Sequence, residues 1–283
     1  MKKALSIICS FILFSTVISC NSSHKEKTAN EAISDSAMMA TDTLPYNKMA
    51  DFKFFFTIAN LPSPLEVINT VFNTDVPFDN TLLNPTSNEE KYLSAYKKSV
   101  NYGVYGVDMA YIAYYGNKQD LYDYYGTARK LAESMGTQET FDQFTDRFKN
   151  NADNKDSIMV IVDEAYTETD KFLRSNSRLL AASYVLAGSF LESLFISSTL
   201  LKDQERTVKF EASYKEIFDQ KLLLDNLAEL FKQFNDKESV ALEKDLQSIK
   251  KVFDEIKDVS QLSKENLEKI SVVTAAARNK AIQ

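Results

Sequence analysis

Residues 179 to 201 read LLAASYVLAGSFLESLFISSTLL, a run of 23 residues whose only charge is Glu192, near the middle. About 20 apolar residues are enough to cross a bilayer as a helix. Here, however, serines recur along the run and an acid sits at its centre, both of which lipid penalises. A helix that is apolar all round is equally what the centre of a water-soluble bundle requires, and that reading accommodates the serines and the acid. A second stretch has the same character: Ser99 to Asn117 reads SVNYGVYGVDMAYIAYYGN, and its only charge is Asp108. The run at 178–201 is therefore expected to be a central helix of a bundle, and the second stretch shares its pattern of one solitary carboxylate among apolar and small neighbours.

Working outward, the chain is punctuated as helices. Six glycines and five prolines in 283 residues leave few tight turns, and the hairpin dipeptides Asn-Gly and Asp-Gly are absent, which argues against sheets. Ser63-Pro64-Leu65-Glu66 and Ser87-Asn88-Glu89-Glu90 are capping boxes, and Gly116-Asn117 and Gly136-Thr137 each join a helix-ending glycine to a polar N-cap. Leu242, Leu246, Ile249, Val252, Phe253 and Ile256 repeat with a helical period, with Lys and Glu on the opposite face. These signals predict helices over 64–73, 88–115, 118–135, 138–150, 155–175, 178–201, 207–235, 237–257 and 264–281. Short connections favour antiparallel neighbours. The expected fold is all-α, an antiparallel multi-helix bundle of about eight or nine helices spanning residues 51–283. Phe52 to Phe56 fits either a short strand or a helix start.

The N-terminus carries a different message. Met1-Lys2-Lys3 is a positive start, followed by an apolar run from Ala4 to Ile18 that is too short to span a membrane and has the pattern of a secretory signal over residues 1–19. Val17-Ile18-Ser19-Cys20 resembles the lipobox of bacterial lipoproteins. That resemblance implies cleavage before Cys20 and acylation of its sulfur. Each buried methylene contributes about 0.8 kcal/mol, so more than one acyl chain anchors stably. Asn21 to about residue 50 is polar and poor in aromatics, the composition of a flexible tether. Loss of Lys2 and Lys3 would leave 31 basic residues against 40 acids, a body with no basic stripe for nucleic acid. The expected location is the cell envelope, lipid-anchored at the outer membrane and facing the periplasm or the surface.

Further in, Asn60-Leu61-Pro62-Ser63-Pro64-Leu65-Glu66, Leu82-Leu83-Asn84-Pro85 and Tyr102-Gly103-Val104-Tyr105-Gly106-Val107-Asp108 resemble segments of lipoproteins from Bacteroidota. The resemblance covers under a third of the chain and implies location and helical architecture. It implies no reaction.

Composition narrows the chemistry. The one histidine, His24, and both cysteines, Cys9 and Cys20, lie within the first 24 residues. The body is therefore without Ser-His-Asp or Cys-His catalysis and without His- or Cys-ligated zinc, haem or iron–sulfur sites. It also lacks the Glu-x-x-His of di-iron bundles. Asp120 with Asp123, Asp142 with Asp146, and Glu164 with Glu168 lie at helical spacing, but solvated helix faces explain them. Asn151 to Asp156 lacks the central glycine and terminal Glu of a calcium loop. No metal, cofactor or catalytic residue is expected.

Two features remain as candidates. Ten of the 14 tyrosines lie between Tyr92 and Tyr125, interleaved with Gly103, Gly106, Ala110 and Ala113, a stripe that admits another helix closely. The second feature is the pair Asp108 and Glu192. Tyr105, Tyr111 and Tyr115 share a helix face with Asp108, and Gly188, Ser189 and Phe195 share one with Glu192. If the two helices pack together, the acids enclose a site for a cation, an amine or a shared proton. If they do not, each points to water or bonds a tyrosine. The function expected is that of an envelope binding or interaction protein without catalytic activity, meeting a protein partner or small ligand. The alternatives are a carboxylate- and phenol-based carrier or enzyme centred on Asp108 and Glu192, with Tyr105 and Tyr111 as further candidate ligand-binding residues, and a structural subunit of an outer-membrane complex.

Overall fold

The computed structural model describes residues 76–283. The expected signal segment, Cys20, the expected tether with His24, Phe52 to Phe56, the first capping box and the helix expected over 64–73 lie outside the described residues. Within them are nine α-helices and no strand: α1 (Ala95–Tyr115), α2 (Lys118–Ser134), α3 (Gln138–Asp142), α4 (Thr145–Asn151), α5 (Lys155–Ser175), α6 (Leu179–Lys202), α7 (Glu211–Phe231), α8 (Lys237–Asp254) and α9 (Lys264–Ile282). The fold is an all-α multi-helix bundle.

Most boundaries follow from capping chemistry. The side chains of Ser94, Asn117, Asn154, Asp236 and Ser263 accept hydrogen bonds from backbone N–H groups in the first turns of α1, α2, α5, α8 and α9. Gly116 and Gly136 end α1 and α2 with φ of 73° and 69°, a left-handed conformation that a side chain would strain.

Two expected helices differ. The helix over 88–115 begins at Ala95, and Ser87 to Glu90 form only part of a 3-10 turn, Thr86–Lys91, with no side-chain cap. The chain breaks here because Tyr92 turns into the core, 3% exposed, and its hydroxyl donates to the Ile282 carbonyl at 3.1 Å. The stretch 138–150 splits into α3 and α4, with Phe141, Phe144 and Phe148 all buried around the break.

α1 and α6 form the core pair. α9 packs on both, α2 and α5 cover α1, and α7 and α8 complete the side beside α6 and α9. Among the described residues one helix, α6, is long and apolar enough to cross a membrane, and 83% of its most apolar window is buried inside the bundle. Consecutive helices run antiparallel where ion pairs mark the register: Lys221 meets Asp254 and Asp225 meets Lys250 between α7 and α8. α6 and α9 are antiparallel too, because Glu192 meets Arg278 while Thr199 meets Ser271.

The core pair itself runs in parallel. Tyr96 packs edge-on against Tyr184, Val100 lies against Gly188, and Asp108 lies beside Glu192, so both helices advance together. Glycines permit the approach. A methyl group on Gly188 would overlap the Val100 carbonyl oxygen, and one on Gly103 would overlap that of Val185. The small-residue stripe on α1 is shared between two partners, since Gly106 receives the ring of Tyr166 from α5.

Candidate functional site

Asp108 and Glu192 converge. Each sits in the middle of its helix, each is fully buried, and the parallel pairing brings their carboxyl groups within hydrogen-bonding reach. The cation of the site belongs to the chain and pairs with Glu192. Arg278, in the last turns of α9 and 4% exposed, donates from Nε to Glu192 Oε2 at 2.5 Å and from Nη2 to Oε1 at 2.6 Å. This two-pronged geometry matches guanidinium to carboxylate. Nη2 also donates to the Leu82 carbonyl at 2.7 Å, and the guanidinium lies 4.5 Å from the centre of the Phe195 ring. Phe195 shares its helix face with Glu192, as the spacing requires.

Asp108 has a different set of neighbours. Its Oδ2 accepts the Asn84 backbone N–H at 3.2 Å, while Oδ1 is buried without a hydrogen-bond donor. Burial pushes the Asp108 carboxyl well above the usual carboxylate range, the adjacent Glu192 charge adds to this, and the Arg278 charge opposes it. For Arg278, burial works against the cation, but the charge and hydrogen bonds of Glu192 outweigh it and raise its pKa.

The tyrosine band has a specific task. Segment 76–93 lies across α1, and phenols from α1 bind its backbone. Tyr105 donates to the Pro85 carbonyl at 2.9 Å, Tyr111 accepts the Asp79 N–H at 2.8 Å, and Tyr115 donates to the Val76 carbonyl. Tyr105 and Tyr111 therefore do not face Asp108 as hydrogen-bond partners. Their hydroxyls hold the segment on either side of the residues that Asp108 and Arg278 hold. Burial is the main cause of the raised pKa of each, to about 12 for Tyr111.

The segment thus has alternating backbone groups bound by side chains of the bundle. Two of the motifs singled out by resemblance, Leu82 to Pro85 and Tyr102 to Asp108, prove to be the two sides of this contact: Asn84 N–H meets Asp108, and Pro85 C=O meets Tyr105. The Asn84 side chain extends the network. Its amide donates to Asn101 Oδ1 at 3.2 Å, and the Asn101 amide donates to the Ala281 carbonyl at 2.9 Å. Lys97 adds hydrogen bonds to the carbonyls of Lys280 and Ala281, so α1 caps the end of α9.

Sequence reading missed Arg278, Asn84 and Asn101. Arg278 follows the uncharged run Ile270 to Ala277 and stands two residues before Lys280 near the end of the chain, and only the antiparallel packing of α9 on α6 selects it. A usable signal existed for Asn84, which lies between the buried leucines Leu82 and Leu83 and a proline.

Other acids singled out by spacing have ordinary partners. Asp142 receives two hydrogen bonds from Arg129, Glu164 pairs with Arg147, and Glu168 pairs with Lys171. Asp120 accepts from Asn117 and Asp123 from Gln119. No group of three or more His, Cys, Asp or Glu side chains placed to hold a metal occurs among the described residues. No protein family matches the chain, and no curated protein or solved structure matches it.

Proposed function

We propose that the protein is a lipid-anchored binding or interaction protein of the cell envelope that acts without catalysis. The observation that carries the reading is the commitment of the candidate site to the chain itself. Of the carboxylate pair that could receive a cation or an amine, Glu192 already holds one, Arg278, and the phenols that could line a crevice are bonded to segment 76–93. What remains for contact with a partner is the outer face of the bundle, where large apolar side chains such as Leu222, Val160 and Val272 are exposed. Scattered exposed apolar residues are ordinary on a soluble surface. The lipobox resemblance at Cys20 supplies the membrane attachment.

Two measurements test this. Cys20→Ala should move the protein from the membrane to the soluble fraction, and unchanged fractionation would remove the anchor from the proposal. A turnover assay of the full chain against hydrolytic and transfer substrates should be blank. Any turnover that is lost in Glu192→Gln while the melting temperature holds would favour the carboxylate-based enzyme.

A further inference from the structure

Asp108 is the one group of the buried cluster with an unmet requirement. Its Oδ2 has the Asn84 N–H, but Oδ1 has no donor. The group beside it is the Glu192 carboxylate, whose two oxygens each accept one hydrogen bond from the Arg278 fork and each keep a second lone pair. Two carboxylates around one guanidinium would leave a net negative charge in a fully buried site, and an uncompensated buried charge is costly enough that a group neutralises instead. The remaining titratable groups facing the site are phenols: Tyr92 from segment 76–93, Tyr105 from α1, Tyr124 from α2 and Tyr166 from α5. The pKa of each is raised, with burial the leading cause, so they stay neutral and add no charge to the site.

We propose that folded Asp108 carries a proton on Oδ1, donates it to Glu192, and with Arg278 forms a proton-dependent latch that holds segment 76–93 on the bundle. The proton comes from solvent on folding and returns to solvent when the latch opens. The latch is specific to this segment because Asp108 and Arg278 hold its backbone at alternate residues, Asn84 N–H and Leu82 C=O. Ionising Asp108 strengthens its own acceptance of the Asn84 N–H but sets two negative groups side by side in the interior, and with burial their repulsion outweighs that gain and works against the closed arrangement. The inference does not depend on the lipid anchor or on the partner.

The direction of the pH dependence follows. A carboxyl whose folded pKa lies above its unfolded value, about 3.9 for Asp, binds more protons folded than unfolded. Its stabilisation is fully present below pH of about 3.9 and is lost as pH rises through the folded value. Within that window the folding equilibrium constant falls by up to about tenfold per pH unit from this residue alone. Asp170, also raised chiefly by burial, adds a dependence of the same sign, which cancels between the native protein and an Asp108 variant.

The test is a carboxyl carbon NMR titration of Asp108 in the otherwise native full chain, with hydrogen exchange followed at the Asn84 amide. The expected result is an Asp108 midpoint above the ordinary carboxylate range and, across the same window, a loss of Asn84 protection beyond the intrinsic pH effect. A midpoint at or below the ordinary range overturns the proposal. Asp108→Asn supplies a permanent donor toward Glu192 and keeps an acceptor for Asn84. It should melt close to the native protein at neutral pH and lose the Asp108 share of the pH dependence. An undiminished dependence in a folded D108N overturns the latch, and if D108N does not fold, the native titration decides alone.

Discussion

Gly188 of α6 lies against the backbone of Val100 in α1 so closely that a single added methyl group would overlap the Val100 carbonyl oxygen. The obstacle is main chain and cannot swing away, so the two core helices would have to separate. Gly188→Ala is expected to destabilise the protein by about 1–3 kcal/mol or more, despite the better helix propensity of alanine. Gly126 in α2 has nothing near the corresponding position. Gly126→Ala should therefore stabilise by roughly 0.5–1 kcal/mol. Urea melts of the two variants, read by circular dichroism, should move in opposite directions.

Removing Arg278 exposes the price of its partner's burial. Arg278→Ala would leave Glu192 as an unpaired charge in the interior and the Leu82 carbonyl without its donor. Breaking one side of a buried ion pair costs about 3–5 kcal/mol. Arg278→Lys keeps the charge but lacks the two-pronged fork, so it should fall between the native protein and the alanine variant. Thermal melts that ranked lysine with alanine would show that the fork, and not the charge, is the larger part.

Ser94, and not Ser87, caps the first core helix. The Ser94 hydroxyl accepts from the Lys97 N–H at 3.2 Å, whereas Ser87 makes no cap. Ser94→Ala is expected to cost about 0.5–2 kcal/mol and Ser87→Ala close to nothing. Chemical denaturation of the two variants separates them directly.

Gln220 on α7 is 1% exposed, and neither atom of its amide has a hydrogen-bond partner. An unsatisfied buried polar group carries its full desolvation cost, about 1–3 kcal/mol, which an apolar group of similar size avoids. Gln220→Leu should therefore raise the melting temperature. A lowered one would mean that an internal water satisfies the amide.

The capping prediction shows where sequence reading runs short. Ser87-Asn88-Glu89-Glu90 has the spacing of a capping box, and locally nothing forbids the helix. It fails because Tyr92 gains more by burying its ring and bonding the Ile282 carbonyl, 190 residues away, than by continuing a helix. The site divides in the same way. The solitary charges Asp108 and Glu192 are visible by contrast with their apolar neighbours, and the small residues at 103, 106 and 188 mark a close approach. Which acid meets which partner is invisible, because Arg278 looks like any basic residue in a helix that also carries Lys264, Lys269 and Lys280.

By itself, the sequence determined the helical class, most of the breaks between helices, the central position of the apolar helix α6 and the chemistry available to the body. Each of these depends on interactions within a few residues or on composition, so each is written locally. Only the tertiary structure decided that α1 and α6 lie parallel, that Arg278 closes the pair of acids, and that the tyrosine band binds the backbone of segment 76–93. Those outcomes depend on helix register and on side chains far apart in the chain. Burial then makes them matter, because a charge or hydroxyl removed from water must find its partner inside the protein.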